Sequence, residues 1–154
     1  MNDDTLRTGT GTGTADPADV VRGLYDALGR GDVPGVLARL HPDVVVDEPA
    51  PLPYGGVHRG REAFLRDVLG VMTSHAGIAL TTAEVFTGPT GVVGRLTGTL
   101  TAHGTGEVFP LTMVEVHRVE AGSVRRIDVY VQDPGALAAF TARAGAAAAG
   151  TGTS

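Results

Sequence analysis

The sequence predicts an α+β fold in which helices near the N-terminus pack on a curved, mostly antiparallel sheet. Apolar residues recur at helical spacing in the first half of the chain. The second half consists of long segments rich in valine and threonine, with breaks that contain glycine. The length of 154 residues suits one domain built around a single core.

Three segments carry helix signals. The first begins where Asp16 precedes Pro17, an N-cap followed by proline at the first helical position. A short second helix is predicted over 33–40, because the His-Pro pair that ends in Pro42 does not continue a helix. A third helix is predicted over about 61–72, where apolar side chains share one side.

The remaining segments predict strands. A β-branched run over 43–48 ends at three alternating prolines, which cannot donate to a sheet ladder. Four further strands follow the third helix. The two central ones are unusually long, which favours a bent sheet. These four strands are predicted over 78–86, 91–103, 108–119 and 124–132.

Both ends of the chain have low complexity. Residues 1–15 contain a threonine–glycine alternation, and residues 141–154 consist mainly of alanine and glycine. Such segments bury too little apolar surface to offset their chain entropy. We therefore predict a folded domain over 16–140 between two disordered tails.

Composition excludes several classes of function. The net charge is -5, and the twelve basic residues, all arginine, form no run that would neutralise a phosphate backbone, so nucleic acid is not an expected partner. Without cysteine there are no disulfides or thiolate sites, and the five histidines lack metal-ligand spacing. This histidine spacing predicts no metal site. The acidic start and the lack of a long apolar run predict a cytoplasmic protein without membrane contact.

Side chains alternate between the two faces of a strand, and along the segment 109–119 this places two ionisable groups on the more apolar face. Glu115 shares that face with Phe109 and Met113, and His117 follows two residues later. Burial among such neighbours favours a protonated carboxyl group, which can donate a hydrogen bond. A structural ion pair with Arg95 or Arg126 would explain Glu115 equally well.

A second carboxylate comes from the first predicted strand. Glu48 shares a face with Val44 and Val46, which places it at the mouth of the space that they line. Two carboxyl groups in different surroundings can serve as base and acid at neutral pH. Glu48 could instead cap its strand at a solvated rim. Tyr25 and Tyr54 could add phenolic donors.

Two other features allow more than one interpretation. The face that carries Arg95 and Thr97 suits either an outer sheet surface or a polar pocket wall. Asp128 is expected on the outer surface or against a dimer partner, because the opposite side of its strand is apolar.

Three stretches resemble the SnoaL-like branch of the nuclear transport factor 2-like superfamily. The resemblance implies a cone-shaped α+β barrel with three helices, a deep pocket and a homodimer through the outer sheet face. Members include polyketide cyclases, ketosteroid isomerases, dehydratases, epoxide hydrolases and proteins without a catalytic role. The stretches are GLYDALGRGDVPGVLARLHPDVVVDEP, PLPYGGVHRGREAF and MVEVHRVEAGSVRRIDVYVQDPGAL.

The resemblance also assigns residues. Glu48 falls where ketosteroid isomerases carry their general base, and Glu115 where they carry the protonated acid of the oxyanion hole. Their helix tyrosine falls near Leu24 or Tyr25. SnoaL-type cyclases and epoxide hydrolases place an aspartate near Val129, where this chain has valine, and this disfavours epoxide hydrolysis by their triad.

Together these observations predict a cofactor-independent cyclase, isomerase or dehydratase that moves protons on a small hydrophobic, polyketide-like molecule. The alternative is a non-catalytic module that binds a ligand or dimerises. Glu48, Glu115 and His117 are the predicted catalytic residues. The predicted substrate contacts are Tyr25, Tyr54, His58, Phe64, Met113 and Val129.

Overall fold

A computed structural model describes residues 15–150 as helices packed against one six-stranded sheet. We number α3 as one helical segment made of Arg61–Ala63, Phe64–Leu69 and Gly70–His75. The other helices are α1 (Pro17–Arg30), α2 (Val33–Arg39) and α4 (Pro134–Gly150). The strands are β1 (Leu40–Glu48), β2 (Gly56–Arg59), β3 (Ala76–Gly88), β4 (Gly91–Ala102), β5 (Val108–Glu120) and β6 (Ser123–Val131).

The sheet has the order β2-β1-β6-β5-β4-β3. Neighbouring strands run antiparallel, except for the parallel pair β1 and β6. The sheet is curved and does not close, and its concave face holds the core. These features confirm the predicted α+β fold. None of the helices within residues 15–150 is long and apolar enough to cross a membrane.

The start of α1 follows the predicted signal. The Asp16 side chain accepts a hydrogen bond from the Ala18 backbone N–H at 2.8 Å, and Pro17 occupies the first turn. At the other end Gly31 has a φ of 67°, a left-handed conformation that glycine adopts without strain. The helix buries Leu24 and Tyr25 against the sheet side of the domain.

The middle of α3 is π-helical over Phe64–Leu69. A π-helical turn is wider than an α-helical one and is frequent at functional sites. Phe64 and Val68 are the buried residues of this stretch. Together with Leu69 they face the concave side of the sheet. The irregular turn therefore supplies one wall of the cavity described below.

The predicted disordered tail over 141–154 needs correction. Helix α4 continues to Gly150, and Phe140 and Ala144 on it are buried. The Phe140 ring packs on Phe109 with 5.4 Å between ring centroids, and Arg143 pairs with Glu107 at 2.7 Å. Alanine has the highest helix propensity and packs closely, so a low-complexity sequence forms a docked helix here. The predicted tail over 1–15 lies almost wholly outside the described residues, as do 151–154.

Two local predictions also change. Strand β1 already begins at Leu40, so His41 and Pro42 lie in the strand rather than ending a helix. Strand β2 was not predicted. It pairs its four residues antiparallel with the end of β1, from Val45↔Arg59 to Glu48↔Gly56, and so covers the edge of the sheet beside Glu48.

The structure decides which face of β4 points outward. Leu96 and Leu100 are buried on the concave side, whereas the Arg95 side chain is 53% exposed and lies near Glu84 at 3.9 Å. The face with Arg95 and Thr97 is therefore the outer sheet surface. The expected homodimer through this face stays a prediction that the oligomeric state in solution would check.

Candidate functional site

A cavity of about 290 Å³ lies between the helices and the concave face of the sheet. Its walls are apolar apart from three side chains, those of Glu48, Tyr54 and Glu115. Pockets for small organic molecules have this composition, an apolar lining with a few polar groups. The apolar lining comes from Leu28, Gly29, Phe64, Val68, Leu69, Met72, Ile78, Ala79, Leu80, Leu96, Leu100, Leu111, Met113, Val129, Val131 and Leu137.

Glu48 ends β1 and is only 7% exposed. Burial raises the pKa of its carboxyl group from 4.5 to about 8, and the negative charges of Glu115 and Asp47 add to the effect. The carboxyl group is therefore mostly protonated at neutral pH and loses its proton just above it. A carboxylate with a pKa near the working pH is suited to act as a general base.

Tyr54 belongs to the loop between β1 and β2 and is buried. Burial raises the pKa of its phenol above the ordinary value, and the charge of Glu48 raises it further. The hydroxyl group therefore keeps its proton and can donate a hydrogen bond to a ligand in the cavity. His58 supports the loop, because its Nε2 donates to the Tyr54 carbonyl oxygen at 2.7 Å.

Glu115 lies on β5 between Gly94 of β4 and Val129 of β6. Its carboxylate oxygen Oε1 lies 3.7 Å from Nε2 of His117, and its side chain is 14% exposed. The ion pairs with Arg95 or Arg126 that the sequence left open do not form, since Arg95 lies near Glu84 instead. Arg126, one of the candidates, pairs with Asp128 at 2.9 Å on the outer face.

Six of the predicted site residues meet around the cavity. Glu48 and Glu115, which come from strands separated by β6, both line it. The predicted contacts Tyr54, Phe64, Met113 and Val129 line it as well.

The other three predicted site residues lie elsewhere. His117 is completely buried and Tyr25 is 4% exposed, and both sit behind Glu115 without lining the cavity. His58 contacts the Tyr54 loop instead. These placements correct the expected direct contacts: β5 lines the cavity through Met113 and Glu115, whereas the rings of His117 and Tyr25 pack on each other with 5.6 Å between centroids.

Sequence reasoning did not single out several lining residues. Leu28 and Leu80 line the cavity from α1 and β3, and Leu137 lines it from α4. The helical spacing of Leu28 was a signal for a buried position but not for a ligand contact. Leu137 could not be placed, because α4 itself was not predicted. Within residues 15–150 no group of three or more His, Cys, Asp or Glu side chains could hold a metal ion.

The model of the SnoaL-like domain family matches residues 21–127. The chain belongs to this family. The match spans α1 to β6 and includes Glu48, Tyr54 and Glu115, whereas α4 lies beyond it. No curated protein matches the sequence significantly.

Solved structures share the fold of this SnoaL-like domain. A nuclear transport factor 2-like protein of unknown function from Burkholderia pseudomallei is 28% identical, with a TM-score of 0.69 over 84% of this chain and 97% of that one. A putative polyketide cyclase from Xanthomonas campestris is 25% identical, with a TM-score of 0.67 over 82% and 94%. A nuclear transport factor 2-like protein from Burkholderia thailandensis reaches a TM-score of 0.73 at 22% identity, over 85% and 98%.

Proposed function

We propose that this SnoaL-like domain is a cofactor-independent enzyme that moves a proton on a small, neutral, mostly apolar molecule. Glu48 removes a proton from a carbon next to a carbonyl group, as a cyclase, isomerase or dehydratase requires. The observation that carries the proposal is that two carboxyl groups, Glu48 and Glu115, line one apolar cavity. The similarity to a putative polyketide cyclase agrees with this class of chemistry.

The cavity favours a neutral substrate of limited size. Its lining includes two carboxyl groups but no arginine, lysine or histidine, so an anionic ligand would meet repulsion without a counter-charge. A water molecule occupies about 30 Å³ in the liquid, so a cavity of about 290 Å³ holds roughly ten to fifteen non-hydrogen atoms. A compound with one or two rings meets both conditions.

The polar groups have complementary roles in this proposal. Glu48 is the base, because its pKa of about 8 keeps it close to ionisation at neutral pH. Negative charge then develops on the carbonyl oxygen of the substrate. Tyr54 stabilises this charge by donating a hydrogen bond, which is strong in an apolar, water-poor cavity, and the charge of Glu115 helps to raise the pKa of Glu48.

The test uses 5-nitrobenzisoxazole, a neutral two-ring compound that needs only a base. The base takes the ring C–H proton, the N–O bond breaks, and a nitrile and a coloured phenolate form. We expect kcat/KM to rise tenfold per pH unit and to level off above about pH 8. Glu48→Gln should lower it about 100-fold or more, because a positioned base contributes about 10²–10⁴.

Glu84→Gln is the matched control, since Glu84 is a half-exposed glutamate near Arg95 on the outer face. It should leave the rate unchanged. The catalytic proposal is wrong if Glu48→Gln reacts as fast as Glu84→Gln. It is also wrong if kcat/KM of the wild-type protein does not exceed the second-order rate constant of acetate at the same pH. Binding of the intact compound without turnover would then support the non-catalytic binding module.

A further inference from the structure

The cavity reaches solvent between the end of α1 and strand β3. Of its lining residues that the structure describes, Gly29, Ile78 and Ala79 are the exposed ones, and Ile78 is 37% exposed. Leu28 and Leu80 line the cavity next to them and are half-buried. These five residues surround an opening from the outside into the cavity.

Helix α1 forms one side of the opening with its last turn. Gly31 takes the left-handed conformation that ends the helix, so the chain turns away directly after Leu28 and Gly29 have passed the opening. A methyl group built on Gly29 would meet nothing within 4 Å. Arg30 pairs with Asp32 at 3.5 Å and does not line the cavity. This side of the opening is therefore uncharged, and the space beside Gly29 is free.

Strand β3 forms the other side and is irregular there. It is the edge strand, so no strand of the described sheet lies beyond it. The pairing with β4 shifts by one residue between Leu80 and Thr82, which makes Thr81 an extra residue. Such bulges bend a strand and are frequent next to active sites. A side chain at Gly98 of β4 would overlap the Ala79 carbonyl oxygen, so glycine allows the close approach of β3.

Two other walls of the cavity border clefts, but buried side chains close them. Tyr54 and Met72 separate the cavity from a groove along α4, and Tyr54 is 3% exposed. Glu48, Val129 and Val131 separate it from a cleft at the ends of β1 and β6. A ligand that passed there would have to displace Tyr54 or the base Glu48 itself. Passage between α1 and β3 requires no such displacement.

We propose that the substrate enters and the product leaves through this opening, and that Gly29 and Ala79 set the size of the group that can pass. The rim consists of apolar side chains and a glycine, which suits a neutral, mostly apolar molecule. The inference takes from the proposed function only that the cavity holds a small molecule. It assigns no catalytic role to the rim.

The lack of cysteine in the sequence allows a selective test, because Gly29→Cys introduces the only thiol of the chain. Its thiolate displaces methanesulfinate from an alkyl methanethiosulfonate and forms a mixed disulfide, which dithiothreitol reduces again. Methyl, propyl and benzyl reagents attach groups of increasing size at the rim. Ala79→Cys places the same groups on the opposite side of the opening.

The readout is the binding of 2-naphthol, a neutral, fluorescent two-ring compound, followed by stopped-flow fluorescence. We expect its association and dissociation rate constants to fall together as the attached group grows, by about tenfold or more with benzyl, while Kd changes little. Passage is then slowed without a change in affinity. Dithiothreitol should restore both rates. Gly135→Cys, at an exposed glycine of α4 outside the cavity lining, is the matched control and should show no effect of the benzyl group.

The result does not depend on turnover. If benzyl at Gly29→Cys or Ala79→Cys slows both rates but the wild-type protein does not convert 5-nitrobenzisoxazole, the proposed function fails and the opening remains the entrance. Three results would overturn the inference: unchanged rates at both positions, equal slowing in Gly135→Cys, or no binding of 2-naphthol to the wild-type protein. A rise in Kd through faster dissociation alone would also overturn it, because affinity rather than passage would have changed.

Discussion

Glu48→Gln should stabilise the protein at high pH and change its stability little at low pH. The folded protein raises the pKa of Glu48 from 4.5 to about 8. Below 4.5 the carboxyl group is neutral in both the folded and the unfolded chain. As the pH rises toward 8, the unfolded chain gains an ionised group that the folded chain cannot ionise without penalty, and the free energy of unfolding falls.

The loss amounts to about 1.4 kcal/mol per pH unit in this window, which makes several kcal/mol an upper bound for the whole range. Above about pH 8 the loss no longer grows, because both states are ionised. Glutamine is neutral at every pH, so the Glu48→Gln variant should not show this loss of stability. Urea unfolding at several pH values between about 5 and 9 measures the difference.

Glu84→Gln again provides the control. Its side chain is 54% exposed, so its removal should not alter the pH dependence of stability. If the free energies of unfolding of wild type and Glu48→Gln run parallel between these pH values, Glu48 is not sequestered from water. The same experiment would then remove the physical basis for Glu48 as a base poised near neutral pH.

The second large effect is expected at Gly94, in the middle of β4. A methyl group at this position would overlap the Tyr25 hydroxyl and lie within 2.6 Å of two ring carbons. Strand β4 is paired on both sides, with β3 and β5, so its backbone cannot easily move away. Gly94→Ala should therefore lower the free energy of unfolding by about 3 kcal/mol or more, at the upper end of overpacking effects.

Gly29→Ala is the matched control for this prediction. Gly29 lies in α1 with nothing within 4 Å of the added methyl group, so alanine should leave stability unchanged or raise it by up to about 1 kcal/mol. A double variant, Gly94→Ala with Tyr25→Ala, should lose less stability than the sum of the single losses. Additive losses would show that Tyr25 does not fill the space over Gly94.

Local signals predicted much of the fold. Asp16 and Pro17 indicated the start of α1, and the β-branched segments indicated β3 to β6, because caps and backbone preferences act between residues close in sequence. Alternation along β5 likewise put Glu115 and Met113 on one face. For α4, the same local reasoning was wrong. Alanine repeats do not reveal whether a surface exists to receive Phe140 and Ala144.

By itself, the sequence determined the start of α1, the strands β3 to β6 and the residues of β5 that share a face, since these follow from chemistry between near neighbours. Only the tertiary structure decided that Glu48 enters the cavity with Glu115, while His117 and Tyr25 lie outside its lining and contact each other. That arrangement depends on the curvature of the sheet and on α3 closing over it. Burial, and with it the raised pKa of Glu48, comes from residues distant in sequence.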